Sequence, residues 1–156
     1  MKWFDTGNTT LKVSIKATEY YDPAKNSYSP GLSLTQIFKV FGDKSLINTL
    51  TADYLHARDD VNDERNAKLR TSLTLSKLFE KVDVTPTIAI GIKDTMKQKG
   101  SRGNEVNLAP NLALNRELAK KLDGTLEYTF TKNWSKSKST YQYTKHEIHF
   151  GMSYNF

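Results

Sequence analysis

The stretch that most restricts the fold of this chain is its C-terminal end, His146 to Phe156 (HEIHFGMSYNF). Ile148, Phe150, Met152, Tyr154 and Phe156 stand at every second position, and Glu147, His149, Gly151, Ser153 and Asn155 stand between them. Side chains alternate across a β-strand, so a period of two describes a strand with one apolar face and one polar face.

The same alternation marks seven stretches upstream. Leu11, Val13, Ile15 and Ala17 alternate with Lys12, Ser14, Lys16 and Thr18, predicting a first strand from Thr9 to Tyr21. Leu32, Leu34, Phe38 and Val40 mark the second, with Gln36 out of pattern, where a bulge or register shift is expected. Leu46, Leu50, Ala52 and Tyr54 mark the third, with Asn48 out of pattern. Leu69, Thr71, Leu73, Leu75 and Phe79 give the fourth, and Val84, Pro86, Ile88, Ile90 and Ile92 the fifth. Pro86 cannot donate to a ladder, so it belongs where a missing N–H is tolerated. The sixth carries Val106, Leu108, Pro110, Leu112 and Leu114, and the seventh Leu122, Leu126, Tyr128 and Phe130; the eighth runs from Tyr141 onward. Turn formers and charges fill 22–31, 58–67, 93–105 and 132–140, which read as long loops. Tight turns are expected at 42–45, 80–81 and 119–121.

Two regularities join these strands into an architecture. FKVFGDKSL, SKLFEKVDV and NRELAKKLDG recur at a spacing of roughly 38 residues, as a repeated hairpin unit does. Short connections follow even strands and long ones follow odd strands, so all short turns fall at one end and all long loops at the other. An even number of strands leaves both termini at the short-turn end, where the first strand can pair with the last. The reading is a single domain over residues 1–156: an all-β, eight-stranded antiparallel up-and-down transmembrane β-barrel with short periplasmic turns and long extracellular loops.

Composition is compatible with that fold once alternation is taken into account. A hydrophobic fraction of 37 % is low for a membrane protein, but barrels average a lipid-facing and a lumen-facing set. No run approaches the length of about 18 apolar residues that a membrane helix needs; Thr87 to Ile92 (TIAIGI) has strand length. With no cysteine there is no disulfide framework and no thiolate chemistry. Met1-Lys2-Trp3-Phe4-Asp5 lacks the apolar core of a signal peptide, so the expectation is a replaced leader or a piece of a longer chain.

The competing architecture is a soluble barrel of the lipocalin kind, whose apolar face points inward. Three features favour the membrane. The apolar faces are nearly free of charge, with Lys77 and Arg116 near turns, where long side chains can snorkel. The opposite faces hold Ser, Thr, Asn, Gly and Ala, which suit a narrow lumen. Aromatic residues gather near strand ends (Tyr20, Tyr21, Phe38, Tyr54, Phe79, Phe130, Tyr141, Tyr143, Tyr154 and Phe156), as in the girdles at a membrane interface. The N-terminal Gly-x-Trp of lipocalins is missing as well.

A chain ending on Phe156, with Tyr154 two residues before it, resembles the terminal signal by which bacterial outer-membrane β-barrels are recognised for assembly. On that resemblance Ile148, Phe150, Met152, Tyr154 and Phe156 form the face read by the barrel assembly machinery. The size and loop plan look like small barrels of the OmpX and OmpA type, and YTFTKNWSKSKSTYQYTKHEIHFGMSYNF looks like the closing hairpin of larger outer-membrane barrels.

The lumen and the loops are the two places where chemistry could reside. The alternation points Lys12, Lys16, Asp53, Arg70, Lys93, Glu127, Glu147 and His149 inward, and buried charges must be paired, so an ion network is expected to fill the interior. Closure is expected to bring Lys16 to Glu147 or His149, with a narrow pore as the alternative outcome. Some small barrels are lipid A deacylases with a His-x-Ser-Asn arrangement; the nearest stretch here is Lys132-Asn133-Trp134-Ser135, without the His that a serine nucleophile needs. His56 near Asp53, Asp59 and Asp60 is similar to the Asp/His pairs of outer-membrane proteases, which are larger barrels. Asp59, Asp60, Asn62, Asp63 and Glu64 are oxygen donors, but Arg65 stands where a calcium loop of the EF-hand type needs Gly. The expectation is therefore a non-catalytic protein with no cofactor and no metal.

The net charge of +6 concentrates in two of the outer loops, at Lys97, Lys99 and Arg102 and at Lys136 and Lys138, flanked by Lys93, Lys132 and Lys145. Those loops suit lipopolysaccharide phosphates or a cell-surface partner. Nucleic acid is not expected, even with Trp134, Tyr141 and Tyr143 beside lysines.

Overall fold

The computed structural model describes residues 4–19, 27–40, 44–57, 63–79, 81–95, 104–136 and 141–154. They form eight strands: β1 (Phe4–Thr18), β2 (Ser27–Val40), β3 (Lys44–Ala57), β4 (Glu64–Phe79), β5 (Val82–Thr95), β6 (Glu105–Ala119), β7 (Leu122–Ser135) and β8 (Tyr143–Tyr154). All eight belong to one sheet in chain order, each antiparallel to the next. The architecture is all-β and up-and-down, consistent with a β-barrel. Connections of two or three residues follow β2, β4 and β6, and connections of six to nine follow the odd strands. The three recurrent hairpin segments of the sequence are the three short connections.

The ladders reach further than the alternation indicates. β2 begins at Ser27, inside the run read as a loop over 22–31; β4 begins at Glu64, inside 58–67; β5 continues to Thr95 and β7 to Ser135. In these extensions polar, aromatic and turn-forming residues (Tyr28, Pro30, Arg65, Asp94, Trp134) occupy the positions that carry aliphatic residues elsewhere, and the alternation fades. β1 spans Phe4–Thr18 where Thr9–Tyr21 was expected. Its ladder with β2 is irregular between Asp5 and Asn8, and a Cβ on Gly7 would run into the backbone of Ile37, so that irregularity needs a glycine. The bulge expected at Gln36 is not there. The register runs straight through it, Thr9↔Gln36↔Asn48.

The sheet curls. Thr51 and Asp53 on β3 line the same cleft as Asn133 on β7 and Tyr143 on β8, a cleft of about 420 Å³. In a flat sheet four or five strand spacings would hold those residues roughly 20–24 Å apart. The polar face is therefore concave and the apolar face convex. Toward the long connections the apolar side chains are the bare ones, although Val40 and Val84 near the short turns are buried and Lys68 and Arg70 on the polar face are exposed. On β5, Thr87 and Ala89 are 7 % and 5 % exposed, whereas Ile88, Ile90 and Ile92 are 46 %, 46 % and 57 % exposed. Among the described residues the curl stops short of a closed ladder: β1 and β8 pair only with β2 and β7, and most of their residues are exposed on both faces.

Candidate functional site

The two faces of the sheet are the candidate sites, and the register assigns each residue to one of them. Residues directly opposite in an antiparallel pair share a face. One concave row reads Ser14, Gly31, Asp53, Asn66, Lys93, Glu105, Ser135 from β1 to β7. The next reads Lys12, Ser33, Thr51, Lys68, Gly91, Asn107, Asn133, Tyr143. Arg70 lies opposite Thr49 and Ala89, Lys16 opposite Ser29, Glu127 opposite His149, and Glu147 opposite Thr129. All eight charges expected inside thus share one face.

Five of them (Asp53, Lys93, Glu127, Glu147 and His149) form local clusters on that face instead of one network. Lys12, Lys16 and Arg70 are exposed and make no side-chain bond or ion pair among the described residues. Toward the long connections, Asn66 Nδ2 donates to Asp53 Oδ2 at 2.9 Å, Lys93 Nζ pairs with Glu64 Oε1 at 2.7 Å, and Asn133 Nδ2 donates to Glu105 Oε2 at 3.1 Å. Farther down, Asn111 Nδ2 donates both to Glu127 Oε1 and to Thr129 Oγ1. On β8, Glu147 takes Lys145 at 2.7 Å and lies 4.0 Å from His149. The expected meeting of Lys16 with Glu147 or His149 is not made, because β1 and β8 are unpaired edges and Lys16 is exposed. Sequence reasoning missed the partners Glu64, Asn66, Glu105, Asn111 and Asn133. Glu64 and Asn66 lie in a run taken for loop, and cross-strand contacts depend on a register that one strand does not reveal.

At the short-turn end a second polar cleft, of about 600 Å³, is lined by Lys77, Asp83, Arg116, Glu117, Asp123 and neighbouring residues. The Lys77 backbone N–H donates to Asp83 Oδ1 at 2.8 Å, and Lys77 has a φ of 54° at the irregular end of the β4–β5 ladder.

The convex face carries the residues of the assembly resemblance. Ile148, Phe150, Met152 and Tyr154 are all exposed along β8; Phe156 lies outside the described residues. His56 sits on this face, opposite Tyr28, while Asp53 faces the other way. Its partner is Asp63, which is buried, receives the Tyr54 hydroxyl at 2.8 Å and lies 3.3 Å from His56 Nδ1. That corrects the expected His56–Asp53 neighbourhood: three positions apart in a strand means opposite faces. Asp59, Asp60 and Asn62 lie outside the described residues, Asp63 and Glu64 are engaged with Tyr54, His56 and Lys93, and no metal-binding cluster occurs among the described residues. Of the basic loop residues, Lys97, Lys99, Arg102 and Lys138 lie outside the description. Lys136 is exposed, and its backbone N–H donates to the Asn104 carbonyl, linking two long connections.

The apolar band crosses the rows obliquely. On the row Thr9↔Gln36↔Asn48↔Thr71↔Ile88, the band of β1 (Leu11 to Ala17) lies wholly on the long-connection side of Thr9. On β8, Ile148 to Tyr154 lie wholly on the short-turn side of His146, and on β5 the band straddles Ile88. The band slides by about ten residues from β1 to β8, which is the offset of strands inclined at roughly 45° to it.

Comparison with family models, with curated proteins and with solved structures returns no match.

Proposed function

We propose that this chain is an integral β-barrel of the bacterial outer membrane, non-catalytic, whose long connections contact lipopolysaccharide or a partner on a cell surface. The observation that carries the reading is the inversion of burial: Ile88, Ile90 and Ile92 are bare while Thr87 and Ala89 are covered. An apolar surface of that extent calls for a partner or for lipid. Strands of 12 to 16 residues exceed the roughly 9–11 that cross a bilayer at a 45° tilt, and the slant of the apolar band fits that tilt. Short connections at one end and long ones at the other match periplasmic turns and outer loops.

An unpaired strand edge cannot stand in hydrocarbon, so insertion requires β1 to pair with β8. That closure brings Lys16 toward Glu147 and His149 and completes the lumen. The barrel assembly machinery would read the β8 face of Ile148, Phe150, Met152 and Tyr154. Lys97, Lys99, Arg102, Lys136 and Lys138 supply the charge for lipopolysaccharide phosphates.

A second reading, a narrow channel, is favoured by the polar cleft that Asp53, Lys68, Lys93 and Asn133 help to line. Reconstitution tests both. The first reading expects a chain that needs detergent or lipid to stay dispersed, inserts, and leaves a planar bilayer silent. Steady conductance would replace it with the channel, and a chain monodisperse in plain buffer would overturn the membrane address.

A further inference from the structure

The convex face is not apolar all the way round. Thr9, Gln36, Asn48 and Thr71 stand side by side on four adjacent strands, β1 to β4, in one row. Gln36 and Asn48 lie at the middle of the arc, and each is flanked along its own strand by apolar residues on the same face: Leu34 and Phe38 for Gln36, Leu46 and Leu50 for Asn48. Both therefore fall within the apolar band. Continuing the row, β5 and β6 present Ile88 and Pro110, and β7 presents Phe130 opposite His146. The polar arc belongs to one side of the sheet.

We propose that the convex face of β1–β4 around Gln36 and Asn48 is the contact surface with a second copy of this chain in the membrane. The inference rests on the membrane reading above. Lipid tails hydrogen-bond to nothing, so an amide that faces them loses its partners. Thr71 Oγ1 donates to Asn48 Oδ1 at 2.8 Å, which leaves the Asn48 NH₂ free to donate outward; Gln36 makes no side-chain bond among the described residues. An amide offers donors and an acceptor at once, so the patch is complementary to itself. Two copies inserted in the same sense can be related by a two-fold axis along the membrane normal. An axis through the middle of the arc sets the amides of one copy against those of the other at nearly equal depth.

The surroundings suit such a contact. Apolar area gives no hydrophobic drive inside a bilayer, and association there relies on small residues that allow close approach and on polar side chains. Ala52 and Ala67 pair directly across β3 and β4, one row beyond the leucines that flank Asn48 and Thr71. A groove of about 530 Å³ opens on this face beside Val13, Pro30, Leu32, Ala52, Tyr54 and Arg65.

The absence of cysteine makes the test clean. Full chains carrying Gln36→Cys, Asn48→Cys or, as a control on the opposite apolar side, Ile90→Cys are reconstituted in phospholipid vesicles and treated with a thiol crosslinker. The expected result is a crosslinked dimer at positions 36 and 48 at about ten times the yield at 90, and a similar drop in dimer when Asn48→Leu is added to Gln36→Cys. Equal yields at 36, 48 and 90 from inserted protein overturn the interface and leave the membrane reading intact. A chain that does not enter the vesicles overturns the reading beneath it. Crosslinking at 48 in native membranes only to a different protein assigns the patch to that protein and overturns the second copy.

Discussion

β5 and β1 carry the same alternation over nearly the same length, 14 and 15 residues, yet the sheet treats them differently. β5 has a neighbour on each side, and its polar row is covered while its isoleucines are bare. β1 has only β2, and Leu11, Val13 and Ile15 are 63 %, 72 % and 79 % exposed with the polar residues between them exposed as well. Alternation thus decides which side chains share a face. Cover comes only from neighbours on both sides together with curl. What separates the two strands is the missing β1–β8 seam, and the proposed membrane state removes that difference.

The largest effect should come from charge on the convex face. Ile90→Lys is expected to cost about 2–4 kcal/mol in urea unfolding of vesicle-inserted protein, and Val13→Lys should cost about as much once β1 is part of a closed wall. If position 13 tolerates lysine while position 90 does not, β1 stays outside the wall in the membrane too. A smaller effect is expected inside. Asn111→Ala leaves Glu127 and Thr129 without their donor and should cost about 1–3 kcal/mol. Ser14→Ala removes only a long 3.4 Å bond to the Gly31 carbonyl on an exposed edge and should fall within about 0.5 kcal/mol. One further effect has the opposite sign. Lys121 turns the chain between β6 and β7 with a φ of 69°, so Lys121→Gly should stabilise by up to about 1 kcal/mol in the same titration.

The sequence and the structure agree where a residue's neighbours along the strand settle its environment. Alternation sufficed to place Lys12, Asp53, Arg70, Lys93 and Glu127 on one face and Ile88, Ile90 and Ile92 on the other. It failed where the answer lies across strands. Gln36 and Asn48 each stand out as interruptions of an apolar face, but that they are direct neighbours follows from the β2–β3 register. The partners of Lys93 and Glu127, namely Glu64 and Asn111, are hidden for the same reason. Strand ends at Ser27 and Glu64 were missed because side chains at strand ends are polar on both faces, as loops are.

The central claim is that the apolar face looks out into hydrocarbon. Single cysteines at residues 87 to 92 of β5, each carrying a fluorophore in the reconstituted protein, test it directly against a quencher dissolved in the lipid tails. The account predicts a period of two, with strong quenching at Ile88, Ile90 and Ile92 and weak quenching at Thr87, Ala89 and Gly91. Quenching in the opposite phase, or equal quenching at all six positions, would contradict it.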